Sequence, residues 1–204
     1  MESTPDWRVI FDLGRVLFHW EPHHIVAQLY AEPRLQSMIR QAVFEHPDWQ
    51  EMDRGVLTEA AAIDRFRRRT DRSAPELRRL MQLARASLTP ITETWRLVDE
   101  LAERGIPLYC LSNMASATFD DLKERYNYWD VFRGIVISAD VKMIKPERAI
   151  FELIRDLYGL TPSSTVFVDD LPANIAAARD VGFHAILFTG ATACRRELAA
   201  ILDD

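Results

Sequence analysis

The sequence predicts an α/β protein: an open parallel sheet with helices on both faces, interrupted early by an inserted all-helical unit. Five short apolar runs, at 8–11, 107–111, 134–137, 165–168 and 184–188, are continuously hydrophobic rather than alternating. That is the pattern of strands buried on both faces of a parallel sheet. Helical patterns at 116–126, 146–158 and 172–181 separate the later runs, giving the strand–helix alternation of βαβ units. About 95 residues separate the first two runs, far more than one crossover helix and its loops require.

The excess length is helical. Apolar residues recur at helical spacing in 25–30, 35–44, 57–66 and 77–84, and no strand-like run lies among them. We therefore assign 1–16 and 89–204 to a Rossmann-like core and 17–88 to a helical cap, with the polar stretches 70–74 and 88–90 as hinges. The helix expected at 92–104 carries Trp95, Val98 and Ala102 on one face and stops at Gly105, while Gly159 and Gly182 follow their helices as C-caps. An amphipathic helix at 195–202 closes the chain.

A chain of 204 residues supports one core with a smaller appended unit. Its net charge of -6 gives no general attraction for nucleic acid or an anionic membrane, so neither is an expected partner. Two cysteines, Cys110 and Cys194, make no disulfide framework, and a reducing cytoplasm is the expected location. Residues 1–6 are polar without a cleavable signal pattern, and no apolar stretch approaches the ~20 residues that span a bilayer.

Ligands of an open parallel sheet bind beyond the carboxyl ends of its strands. There the first run leads into Asp12, the second into Ser112 and Asn113, the third is followed by Lys145, and the fourth leads into Asp169 and Asp170. Each residue alone has an ordinary explanation: an Asp after a strand caps a turn, Ser112-Asn113 caps a helix, and Lys145 is solvated. Together, three carboxylates repel one another by about 4 kcal/mol per pair at ~4 Å and an effective dielectric near 20. Such a cluster requires a cation, and a hard ion such as Mg2+ suits it. Lys145 and the Ser112 hydroxyl then offer a charge and a donor to phosphate oxygens, an arrangement suited to phosphoryl transfer.

Four ordered motifs make this chain resemble the haloacid dehalogenase superfamily over essentially its whole length. They are Phe11-Asp12-Leu13-Gly14-Arg15-Val16-Leu17, Leu111-Ser112-Asn113, Ile144-Lys145-Pro146-Glu147, and Val166-Phe167-Val168-Asp169-Asp170 followed by Asn174 and Gly182. The resemblance implies a Rossmann-like fold with the small helical C1 cap of subfamily IA. It implies an aspartyl-phosphate on Asp12, Ser112, Asn113 and Lys145 around the phosphate, and Mg2+ held by Asp12, the Gly14 carbonyl and Asp170 with Asp169 in support. The expected activity is hydrolysis of a small-molecule phosphate ester. Two alternatives stand beside it. Metal-free 2-haloacid dehalogenases also use an Asp nucleophile, but generally carry a serine pair where this chain has Asp169-Asp170. A weakened ligand- or partner-binding protein on the same scaffold is supported by Gly14 alone.

Gly14 is the departure from the pattern, because most phosphatases of the family carry there a second Asp that protonates the leaving group. The Asp-x-Gly form resembles a branch typified by an α-glucose-1-phosphate phosphatase. Its expected consequence is a preference for leaving groups that tolerate negative charge, such as a sugar 1-phosphate, with His19 a candidate proton donor. Trp49, Asp53 and Arg54 form a mixed aromatic and charged patch in the cap, expected to contact the organic part of the substrate as readily as to pack. His19, His23 and His24 lack the spacing and partners of a zinc site. The run Arg65, Arg67, Arg68, Arg69 and Arg72 reads as a solvated cap face.

Overall fold

The computed structural model describes residues 7–203; residues 1–6, read above for a signal pattern, lie outside the described residues, as does Asp204. Strands β1 (Arg8–Phe11), β2 (Leu108–Ser112), β3 (Phe132–Ile137), β4 (Thr165–Asp169) and β5 (His184–Leu187) form one sheet in the order β3-β2-β1-β4-β5. All four pairings are parallel. The predicted α/β class is thus the observed one.

Alternation along β1 shows why its hydrophobicity is continuous. Val9 and Phe11 enter a cluster with Val98, Leu101, Leu122 and Leu198 on one face. Ile10 enters another with Ile150, Phe151, Ile154 and Ile175 on the opposite face. The first face is covered by α6 (Thr92–Glu103), α7 (Ser116–Arg125) and α11 (Ala191–Leu202); α9 (Arg148–Tyr158) and α10 (Pro172–Asp180) cover the second. Gly159 ends α9 at φ +60°, the left-handed cap that a Cβ would disfavour.

The insertion folds into α1 (Pro22–Ala27), α2 (Pro33–Val43), α3 (Pro47–Asp53), α4 (Glu59–Thr70) and α5 (Ala74–Ser87). These bury a cluster of their own, including Ile25, Ile39, Phe66, Leu77 and Leu80, all fully buried. Two strand-like connections join this unit to the sheet and pair with each other: His19 N–H donates to Thr89 O at 2.9 Å and Ile91 N–H to Leu17 O at 2.8 Å. The stretch 70–74, expected to be a hinge, is instead the turn between α4 and α5. Asp71 takes φ 54° there as the helix cap, so the turn is internal to the helical unit.

Helix α3 was not expected. Its seven residues bury only Asp48 and Met52, too few to show a helical period, and its N-cap is His46, whose Nδ1 accepts from Asp48 N–H at 3.1 Å. The four-residue helix α8 (Ser138–Val141) is equally short. These two helices face each other and seat the insertion on the core. Ser138 Oγ donates to Asp53 O at 2.5 Å, and Lys142 Nζ donates to Gly55 O at 2.7 Å. Gly55 has φ +72°, and a Cβ there would lie 2.9 Å from Ala139 Cα, so this close approach requires glycine.

Candidate active site

With β1 central, the carboxyl ends of β1, β2 and β4 lie side by side, and Asp12 N–H continues the ladder to Val168 O at 3.0 Å. Asp12, Ser112 and Asp169 therefore emerge on one edge. Lys145, 3% exposed, lies among them. Its ammonium donates to Asp169 Oδ2 at 2.7 Å and Leu111 O at 2.9 Å and is ion-paired with Asp12 Oδ1 at 2.8 Å. A buried lysine needs such pairing, because an unpaired ammonium carries a large desolvation cost. Burial presses the Lys145 pKa down, but the Asp12 and Asp169 carboxylates outweigh it and hold the pKa above the ordinary lysine value.

Asp169 is fully buried and its two oxygens are occupied: Oδ1 accepts from Leu171 N–H at 2.8 Å and Asn174 Nδ2 at 2.9 Å, Oδ2 from Lys145. It is thus placed to orient Lys145. Asp12 Oδ1 takes Leu13 N–H at 2.7 Å besides Lys145, while Oδ2 takes no hydrogen bond from a described residue. Burial raises the Asp12 carboxyl to about 7, Lys145 opposing and Asp169 adding to the rise. Asp170 is also raised, by burial and then by Asp169, with Arg15 opposing. Arg15 Nη1 lies 3.8 Å from Asp170 Oδ2.

Ligand oxygens of Asp12, Asp169 and Asp170 lie within 4.8 Å of one another. All are hard donors, and Lys145 compensates only part of their charge, so the set fits a divalent ion such as Mg2+. Ser112 is buried beside them, and its residue lines a cavity of about 630 Å³ between core and cap. Asp12, Gly14, Arg15, Lys145 and Asp170 line it from the sheet's side; Trp49, Met52, Leu57 and Met81, with Glu45, Asp53, Glu59 and Arg85, line it from the helical insertion.

The structure brings Asp12, Gly14, Ser112, Asn113, Lys145, Asp170, Trp49 and Asp53 to this cavity. Three expectations need correction. His19 is exposed and not part of the wall, because its backbone is held in the paired connection to Thr89. Arg54 is also outside the wall, its guanidinium bound to Glu147 at 2.8 and 2.5 Å. Asn113 lines the cavity, but its amide is committed to the Lys145 peptide: Nδ2 donates to Lys145 O and Oδ1 accepts from Lys145 N–H, both at 2.8 Å. These two bonds tie the amide to the Lys145 peptide and leave one Nδ2 proton without an acceptor among the described residues. Arg15 and the buried Asn174 were not singled out as site residues, although Asn174 stands in the fourth motif. The arginine run is largely engaged within the cap: Arg65 meets Asp48 and Glu51, and Arg69 meets Asp48.

A parallel sheet whose carboxyl edge gathers a buried aspartate, a lysine bridging it to a second acid, and a third acid beside them defines a hydrolase of the α/β class. A model of the haloacid dehalogenase-like hydrolases matches residues 8–182, and the chain belongs to that family. It is 28% identical to sesquiterpene phosphatase astK of Aspergillus oryzae over 193 residues, 95% of each chain. Among solved structures, a HAD family enzyme of Bacteroides thetaiotaomicron matches with a TM-score of 0.72 at 20% identity, over 88% of this chain and 92% of that one. The L-2-haloacid dehalogenase of Xanthobacter autotrophicus matches with 0.65 at 20% identity, over 95% and 82%. At these identities the structures speak to the fold alone.

Proposed function

We propose that this hydrolase is a magnesium-dependent phosphatase that cleaves the phosphate monoester of a largely apolar small molecule through an aspartyl-phosphate on Asp12. The observation that carries the reading is the cluster of three carboxylates with Lys145 buried in their midst. A metal-free dehalogenase has no use for so much uncompensated negative charge. The name of the Aspergillus oryzae relative supports the same reading.

Asp12 attacks phosphorus through Oδ2, because Lys145 and Leu13 N–H fix Oδ1. Lys145 and the Ser112 hydroxyl bind the transferring phosphoryl oxygens, and Asp169 with Asn113 hold the lysine. Asp12, Asp170 and the Gly14 carbonyl would hold the ion, which when bound neutralises the phosphate and the acids around it. Residues 17–88 act as the cap over this edge. Its cavity side sets Trp49, Met52, Leu57 and Met81 beside Glu45, Asp53, Glu59 and Arg85, and the apolar part suits an apolar organic group. This moves the substrate away from the sugar 1-phosphate that Gly14 suggested. Phosphate release from a sesquiterpenyl phosphate, a sugar 1-phosphate and a sugar 6-phosphate, with and without Mg2+, tests the reading. Chloride release from 2-chloropropionate without phosphatase activity would replace it with dehalogenation.

A further inference from the structure

Breaking the P–O bond to an alkoxide leaving group calls for a proton at that oxygen, and Gly14 has no side chain to give one. His19 is exposed and outside the cavity. In-line attack by Asp12 from the core expels the leaving oxygen on the opposite side, toward the cap. Three cap carboxylates line the cavity there, Glu45, Asp53 and Glu59. Glu45 is paired with Arg40 and Glu59 with Arg85. Asp53 has no cationic partner among the described residues; its half-buried carboxyl lies near the Ala115 N–H and the Trp49 indole, both of which favour its charged form. Its backbone is anchored by Ser138. This places an unpaired acid where α3 meets the loop after β2, in the same cavity as Asp12.

We propose that Asp53 is the general acid and base of this enzyme, supplied by the cap in place of a side chain at position 14; the assignment rests on the aspartyl-phosphate reading above. In the first step Asp12 forms a bond to phosphorus, the bond to the organic oxygen breaks with its electron pair on that oxygen, and the protonated Asp53 carboxyl delivers its proton there. In the second, water attacks phosphorus, gives its proton to the Asp53 carboxylate, and the bond to Asp12 breaks to release phosphate. Both the enzyme and the proton on Asp53 are regenerated. Burial raises Asp53 to about 7, the nearby Ala115 N–H opposing, the Asp12 charge adding and the Trp49 indole opposing. The other charged groups nearby are spoken for: Lys145 by Asp12 and Asp169, Lys142 by Gly55 O, and Arg54 by Glu147. An acid near neutrality serves both proton transfers.

The test is single-turnover phosphorylation of wild type, Asp53→Asn and the double variant Asp53→Asn with Gly14→Asp. The probes are a simple alkyl phosphate and p-nitrophenyl phosphate, whose leaving oxygen departs without a proton. Asp53→Asn should lose roughly 10²–10⁴ in rate on the alkyl ester and less than about tenfold on the aryl ester, with dephosphorylation slowed for both. Adding Gly14→Asp should recover about tenfold or more of the alkyl rate, since a Cβ at Gly14 meets nothing within 4 Å. Equal losses on the two probes, or a loss under about tenfold on the alkyl ester, would overturn the assignment and leave the aspartyl-phosphate standing. Turnover retained in Asp12→Asn, or a wild type inert on both probes, would overturn both. Where Asp53→Asn does not stay folded, Asp53→Ser is read in the same way.

Discussion

Arg54, the C-cap of α3, and Glu147 of the core are joined by two parallel hydrogen bonds, Nη1 to Oε2 at 2.8 Å and Nη2 to Oε1 at 2.5 Å. Glu147 Oε2 also accepts from Ile144 N–H at 3.3 Å, one residue before Lys145. The pair thus ties the seating of the cap to the segment that carries the site's lysine. It is also the bidentate form in which arginine recognises carboxylate best.

Arg54→Ala should therefore raise KM severalfold while kcat falls less. Both side chains are partly exposed, so the pair is worth no more than about 1 kcal/mol of stability, or roughly 2–4 °C in Tm for a chain of this size. Steady-state kinetics and a thermal melt measure the two effects. KM and kcat both unchanged would detach this pair from cap closure.

Asp12→Asn should abolish turnover, by about 10³ or more, and leave the protein folded. Asparagine keeps the shape of Asp12 and removes a charge that burial disfavours. Lys145 retains Asp169 and Leu111 O. Phosphate release is the readout, and activity within about tenfold of wild type would remove Asp12 as nucleophile.

Mg2+ should raise the Tm of the wild type, and EDTA should silence the enzyme reversibly, because the ion relieves repulsion among Asp12, Asp169 and Asp170. Asp170→Asn should lose most of the Mg2+-dependent Tm shift, while Arg15, 3.8 Å away, keeps Glu21 as its charge partner. A shift preserved in that variant would place the ion elsewhere.

Trp49→Ala should reduce kcat/KM for a sesquiterpenyl phosphate by about tenfold or more, as expected when a large aromatic wall is removed. The indole packs against Trp20 and Phe44 at centroid distances of 5.6 and 4.8 Å, so the loss also loosens the cavity side. Rates on p-nitrophenyl phosphate should change less. An unaltered ranking of substrates would leave Trp49 as a packing residue.

The strands were legible because burial on both faces writes itself into every residue of β2 and β4 and into Val9, Ile10 and Phe11 of β1. The residues brought to one edge were legible for the same reason: once the runs 8–11, 107–111 and 165–168 are strands of one parallel sheet, Asp12, Ser112 and Asp169 stand together at its carboxyl edge. What stayed hidden depended on partners distant in sequence. Nothing near Arg54 announces Glu147, and nothing near Asn113 announces that its amide closes on the Lys145 peptide. Helix α3 is too short for periodicity, so Asp53 could be read only as part of a mixed patch. Its proximity to Ala115 and Asp12 follows from the docking of α3 on α8, which rests on one glycine and two hydrogen bonds.

Asp53 should cost the unliganded protein stability at neutral pH. Its carboxyl is raised from 3.8 to about 7 in the folded state, chiefly by burial. Below the lower value both folded and unfolded chains hold the proton, and the residue is neutral to stability. Between about 4 and 7 the unfolded chain releases its proton while the folded chain keeps it, so stability falls as pH rises through that window. Above about 7 both are ionised and the full cost, on the order of a few kcal/mol, is present. Asp53→Asn removes the ionisation and should stabilise the protein at pH 8 relative to wild type, with the difference shrinking toward zero near pH 4. Urea unfolding in EDTA across this range measures it, the chelator keeping metal linkage out of the comparison. A difference that is flat with pH, or that grows toward acid, would mean that the folded state does not hold the Asp53 proton to neutrality.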